Sequence, residues 1–307
     1  MDLHKPTRKP RAQPDLRFVL HPEADSGYVH FQNCELFPFN ARPLKLGRRN
    51  TWWLADAALL AYWPPPLALP RFQAAGFAGT EFVDEGGTQC YVSWTDDFAL
   101  VAFRGTQPDQ LSDIFDDAAF AFVPWIRPSA LVHAGFKDAL ERVWPRLQDV
   151  LLPLVESRTT WFTGHSLGGA LATLAADRCE FDSCVCTIGS PRVGNEGFAA
   201  DFHSRFGNRS LRYVNDADIV THVPPPLPLP YAHVEQLRYI NRDGSVGDQA
   251  PLLAHFFNEL IGQVAHIRET IRLLASGTMQ TAPDFLLDHM PRGYATDIWN
   301  DYVDHGD

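Results

Sequence analysis

Residues 159–176 read TTWFTGHSLGGALATLAA. Thr159, Thr160, Trp161, Phe162 and Thr163 are β-branched or aromatic and predict a strand over 159–163. From Leu167 onward small and straight-chain residues predict a helix over 167–178. Between the two, Gly164 and Gly168 stand two positions either side of Ser166. A chain that swings so sharply from strand to helix crowds its own backbone, and glycine is the residue that tolerates the crowding. Ser166 is left at the apex with its hydroxyl presented above the strand end, a candidate acyl acceptor. By composition a G-x-S-x-G match arises in about one chain in ten of this length, so the flanking strand and helix carry the reading.

Working outward, TEFVDE (80–85), TQCYVSW (88–94) and FALVAF (98–103) read as strands, joined by the turn-like pairs Gly86-Gly87 and Asp96-Asp97. They predict a meander that joins the main sheet. After it the rhythm changes to a helix over 137–157, the strand and helix already described, and strands over 184–188 and 211–215. Strands alternating with helices imply βαβ units and a largely parallel sheet. The expected class is therefore α/β, an α/β-hydrolase fold with a mostly parallel central sheet flanked by helices. NTWWLADAALLAYW (50–63) predicts a helix ended by Pro64, and the spacing of Leu253, Phe257, Leu260, Val264, Ile267, Ile271 and Leu274 predicts another over 252–274. PPPLALP (64–70) and PPPLPLP (224–230) predict rigid polyproline-like segments. Residues 1–48 are expected to be an N-terminal extension, partly disordered, with Lys5, Arg8, Lys9 and Arg11 on a solvated terminus. The hydrolase domain is expected over 49–307.

A formal net charge of −11 with no offsetting basic stripe argues against nucleic acid as a partner. No run approaches the roughly 20 apolar residues of a transmembrane helix. The basic, Pro-interrupted N-terminus lacks the apolar core of a secretory signal, so a cytoplasmic location is expected. Cys34, Cys90, Cys179, Cys184 and Cys186 are odd in number and lack metal-ligand spacing, which predicts free thiols. Cys184 and Cys186, two apart on a strand, are expected to face the core together.

A serine hydroxyl is a weak nucleophile at neutral pH and needs a histidine to take its proton and a carboxylate to orient that histidine. In this fold the chain order is serine, acid, histidine. The strand at 211–215 is followed by Asp216 and Asp218, at the sheet edge where open α/β sheets place their sites. Strand geometry leaves both open. Of the later histidines, His255 and His266 lie on the expected long helix away from its apolar stripe, and His305 is at the terminal fringe. His222 and His233 flank the second Pro-rich loop. His289, where Pro291 stops a preceding helix, is best placed on a loop above the sheet.

These residues carry a family resemblance. LADAALLAYW, VAFRGT (101–106), VHAGF (132–136), GHSLGGALATLAA (164–176) with GSPRVGN (189–195), and DIVTHVPP (218–225), in that order, resemble the class 3 lipases, the group typified by fungal triacylglycerol lipases. The likeness runs from about Asn50 to the C-terminus. It implies Asp218 as the acid, because the family's acid precedes an apolar residue and Val shortly before a Pro pair. It implies an oxyanion hole from the backbone amides of Leu167 and Thr106. It also implies a lid, expected over about 107–130. Within it Leu111, Ile114, Phe115 and Phe122 share a helical face opposite several aspartates, and Trp125 belongs to a following apolar cluster. Arg104, His133 and His165 are expected to be structural. The N-terminal 48 residues, the acidic lid and the lack of a secretion signal depart from the family. What the resemblance implies is a serine ester hydrolase acting on acyl esters, needing no metal or cofactor, that meets a lipid interface through its lid. A phospholipase A1 or feruloyl-type specificity, or a lipase-like binding module without turnover, are the alternatives.

Overall fold

Parallel strands buried on both faces must be apolar throughout, and FALVAF (98–103) and SCVCTI (183–188) are fully buried along their length. The computed structural model describes residues 6–11, 18, 21–24, 27–42, 45–105, 121–226, 229–250, 269–270, 272–273, 276, 278 and 283–307. In chain order the elements are α1 (Arg48–Leu60), α2 (Pro65–Ala74), β1 (Gly79–Glu85), β2 (Thr88–Trp94), β3 (Phe98–Phe103), β4 (Phe122–Pro124), β5 (Leu131–His133), α3 (Ala134–Val155), β6 (Thr159–His165), α4 (Leu167–Arg178), β7 (Ser183–Ile188), β8 (Gly194–Asn195), α5 (Glu196–Phe206), β9 (Ser210–Asn215), β10 (Tyr231–Ala232), β11 (Gln236–Ile240), β12 (Val246–Gly247), α6 (Asp284–Leu287) and α7 (Pro291–His305).

The main sheet runs β1-β2-β3-β6-β7-β9-β11-β12. Its five central strands, β3, β6, β7, β9 and β11, are mutually parallel, and the meander β1–β3 and the edge strand β12 are antiparallel. Phe103 pairs with Gly164, and His165 with Ile188, so the C-terminal ends of β3, β6 and β7 meet in one line. Alternation along β6 sends Trp161 to a core shared with α1 and α7, and Phe162 to a core shared with α3 and α4. Cys184 and Cys186 sit together in the first of these, and all five cysteines are free. A second antiparallel sheet, β10-β8-β5-β4, stands beside the main one.

Two expectations need correction. PPPLALP is not extended: Pro64 caps α2 and Pro65 opens it. Proline costs nothing at the first helical positions, whose N–H groups have no intrahelical acceptor anyway, and LALPRFQA then continues the helix. The N-terminal cations are not all solvated either. Asp56, fully buried in α1, accepts from the Tyr28 hydroxyl at 2.6 Å and lies 3.9 Å from the Lys9 ammonium. A buried carboxylate demands a counter-charge, and Lys9 supplies it while stacking over the Tyr28 ring. Thr7 and Lys9 bond through their backbones to Trp299 and Asn300 of α7, so residues 7–11 form a strap across that helix. Lys5 and the expected stripe residues Leu253, Phe257, Leu260, Val264, Ile267, Ile271 and Leu274 lie outside the described residues.

One partly buried carboxyl links the sheet to α4. Glu235, at φ 63°, accepts from the Thr173 and Thr187 hydroxyls at 3.1 Å each. Burial pushes its carboxyl up to about 7 against the pull of the nearby Arg212 guanidinium and the two hydroxyls. A group that holds its proton more tightly when folded stabilises the fold fully below its unfolded pKa and loses that contribution as pH rises through its folded pKa. Wild-type stability should therefore decline as pH rises from about 4.5 through about 7 on this group's account. Glu235→Gln should lack that decline, so its melting temperature relative to wild type should rise between those limits. A pH-independent difference would refute the assignment.

Candidate active site

Strand β6 ends at His165 and α4 begins at Leu167, and Ser166 between them adopts φ 58°, ψ −130°. Such a conformation costs a non-glycine residue of order 1–3 kcal/mol and persists where the surroundings over-determine it. The surroundings are backbone. A Cβ on Gly164 would lie 2.2 Å from the Gly168 carbonyl carbon, and one on Gly168 would lie 2.3 Å from the Phe103 carbonyl oxygen. The Ser166 N–H is tied to the Ile188 carbonyl at 2.9 Å.

Beyond β9 the chain makes a short turn in which the Asp218 carboxylate caps its own backbone, accepting the Val220 N–H at 2.9 Å. The same carboxylate accepts His289 Nδ1–H, 2.9 Å from both oxygens, and the Tyr294 hydroxyl at 2.6 Å. Asp216 faces elsewhere and accepts from the Tyr239 hydroxyl at 3.1 Å. The structure thus separates the two aspartates that strand geometry left open. His289 sits between α6 and α7, and Pro291 opens α7 where the preceding helix has ended. With Nδ1–H donated to Asp218, Nε2 carries a lone pair. His289 Nε2 and Ser166 Oγ are both buried and have no hydrogen-bond partner among the described residues. Buried polar atoms are rarely left so.

His165 frames His289. Its Nδ1 accepts from the Tyr62 hydroxyl at 2.8 Å, and its Nε2–H donates to the His289 carbonyl at 2.8 Å. Burial holds its pKa well below the usual imidazole range, with His289 adding to the effect, so it stays neutral beside His289. Gly189, at φ 56°, closes the other side, where a Cβ would stand 2.9 Å from Asp218 Oδ2. His133 caps α3 by accepting the Phe136 N–H, and Arg104 donates to Gln89. His222 and His233 serve the Pro-rich loop, the first through its carbonyl to Arg192, the second through Nε2–H to the Thr221 carbonyl. His305 pairs with Asp301. Sequence reasoning missed Tyr294 as a partner of the acid. Its only signal was a tyrosine five residues after His289.

Leu167 is the first residue of α4, where a backbone N–H has no intrahelical acceptor and is free to meet a ligand. Thr106, Leu111, Ile114, Phe115, His255 and His266 lie outside the described residues. Phe122 is half-buried on β4 and stacks on Tyr231, ring centroids 4.2 Å apart. Trp125 corrects an expectation: it is buried in the core with its indole N–H bonded to Asp177 at 2.8 Å, and is not exposed on a lid surface. Burying a tryptophan satisfies both its ring and its single donor only where such an acceptor waits. Among the described residues no group of three or more His, Cys, Asp or Glu side chains could hold a metal ion.

Residues 100–227 match the family model described as lipase (class 3). A lipase from Rhizopus niveus is 36% identical over 138 residues, which is 41% of this chain and 34% of that one. Over these stretches the chain is similar to the class 3 lipases. A secreted mono- and diacylglycerol lipase from Fusarium solani is 38% identical over 102 residues, 31% of this chain and 30% of that one. The solved triacylglyceride lipase of Rhizomucor miehei superposes with a TM-score of 0.54 at 26% identity, over 64% of this chain and 80% of that one. The chain spans about a third of the length of the curated relatives it matches. The expected cytoplasmic location is overturned: relatives from Fusarium solani and Malassezia restricta are named as secreted, which points outside the cell. A basic, Pro-interrupted N-terminus does not fix the compartment.

Tyr294 holds the acid turn from two sides, because its oxygen also accepts the Asn215 N–H at 2.8 Å. Tyr294→Phe would leave that amide and one Asp218 lone pair buried without a partner. The variant should lose about 1–3 kcal/mol of stability, read as a lower urea midpoint. An unchanged midpoint would show that the bonds carry no net weight.

Proposed function

We propose that this chain is a class 3 lipase, a serine ester hydrolase that cleaves apolar acyl esters, acylglycerols foremost, through an acyl-enzyme on Ser166. The observation that carries the proposal is the pairing of Asp218 with His289 Nδ1, together with His289 Nε2 and Ser166 Oγ, which are buried and have no partner among the described residues. In this reading Ser166 Oγ passes its proton to His289 Nε2 and attacks the ester carbonyl carbon. Asp218 fixes the tautomer and stabilises the imidazolium that forms. The amides of Leu167 and Thr106 hold the tetrahedral oxyanion, His289 gives the proton to the departing alkoxide, and water then repeats the cycle to release the carboxylic acid. The segment over about 107–130 acts as a lid that turns its apolar face, Leu111, Ile114, Phe115 and Phe122, toward a lipid surface.

Ser166→Ala should lower kcat on a soluble p-nitrophenyl ester by several orders of magnitude. Its melting temperature should be equal to or above that of wild type. A fluorophosphonate probe should label the wild type and not the variant. Turnover by Ser166→Ala at the wild-type rate would end the proposal. A panel varying acyl length and head group on the wild type ranks acylglycerols against phospholipids and aryl esters.

A further inference from the structure

Asp288 precedes the proposed base and takes no part in the triad. Its Oδ2 nevertheless accepts the Ala217 N–H at 3.2 Å, and its carbonyl oxygen accepts the Asn215 side-chain amide at 2.9 Å. Asn215 ends β9 and Ala217 lies in the turn that carries Asp218. On the far side of the base, the His289 carbonyl is held by His165. The Ala217 N–H lies in the planar peptide unit that joins Asp216 to Ala217, so fixing it fixes the Ala217 Cα, the point from which the backbone continues into Asp218. Each Asp288 bond engages main chain on one side, at the Ala217 N–H or at its own carbonyl, whereas the His289–Asp218 bond joins only side-chain tips.

We infer that Asp288 is a positioning residue: its carboxylate, held on the Ala217 amide, locks the His289 loop to the Asp218 turn so that imidazole and carboxylate meet in register. The inference rests on the hydrolase reading above. The lock also contains a proton site. Burial pushes the Asp288 carboxyl up to about 6 against the Ala217 hydrogen bond, and the nearby Asp216, Asp218 and Asp284 push the same way. The charged groups around it are otherwise paired, Arg242 with Asp284 and Arg11 with Asp297, while Tyr239 bonds Asp216 and Tyr294 bonds Asp218. Asp288 lines a cavity of about 200 Å³ with Asn215, Met290, Thr296 and Asp297, which gives a proton a place to enter. An ionised carboxylate is the stronger acceptor, so the lock loosens as pH falls through about 6.

The test is steady-state kinetics of full-length Asp288→Ala and Asp288→Asn on a p-nitrophenyl ester between roughly pH 5 and 9, with Ser166→Ala alongside. Asp288→Ala should lower kcat about ten- to a hundredfold with KM changed no more than about twofold. Asp288→Asn keeps an oxygen for the Ala217 amide and has nothing to titrate. Its kcat near pH 8 should return to within about threefold of wild type and fall less steeply on the acid side. Wild-type kcat and pH profile in Asp288→Ala, or equal loss in both variants with the wild-type profile, would overturn the inference. Where Asp288→Ala does not fold, the acid-side slope of Asp288→Asn decides alone. Activity retained by Ser166→Ala sinks the hydrolase reading instead, so the two failures are distinct.

Discussion

At the apex of β6 the backbone of Gly164 passes so close to that of Gly168 that a Cβ on the first would reach within 2.2 Å of main-chain carbon. Gly168 in turn presses on the Phe103 carbonyl of β3, where a Cβ would stand at 2.3 Å. Three elements, β3, β6 and α4, therefore touch through backbone alone, and this contact holds Ser166 at φ 58°. Because β3, β6 and β7 are paired in register, the same contact fixes the height of the serine above the sheet. Everything else at the site is measured from that point.

The acid turn is arranged around a single carboxylate. Asp218 accepts from its own turn at Val220, from His289, and from Tyr294, which stands a full turn into α7. Bonds of this kind hold a buried carboxylate fixed in direction. Further out, α7 is itself gripped by the N-terminal strap, through Lys9 on Asn300 and Arg11 on Asp297. Lys9 also offsets the buried charge of Asp56 in α1. The helix that follows the proposed base is thus tied to the other end of the chain, and Asp288 ties the base itself to the acid turn.

Much of the scaffold was legible because it is local. TQCYVSW and FALVAF form strands over the residues their patterns indicate, and LGGALATLAADR forms α4 over 167–178. The alternation of strand and helix led to the parallel sheet. PPPLALP misled because proline signals opposite things by position, an extended chain in general and a helix start at N1. Lys9 misled because a basic, Pro-broken terminus looks solvated until the buried carboxylate of Asp56, 47 positions along the chain, is seen beside it. Trp125 misled because an apolar cluster reads the same whether it covers a cleft or anchors in a core.

The sequence by itself determined the elbow and its serine, since glycine spacing, strand propensity and helix propensity are properties of neighbours in the chain. It also named His289 as the best-placed base by order and by the proline that follows. Only the tertiary structure separated Asp218 from Asp216 by contact, joined Tyr294 to the acid and set Asp288 against Ala217. These pairs are 71 to 76 residues apart. Contacts over such separations leave no periodicity in the chain, because they are set by how the sheet and its helices pack and not by any residue's neighbours.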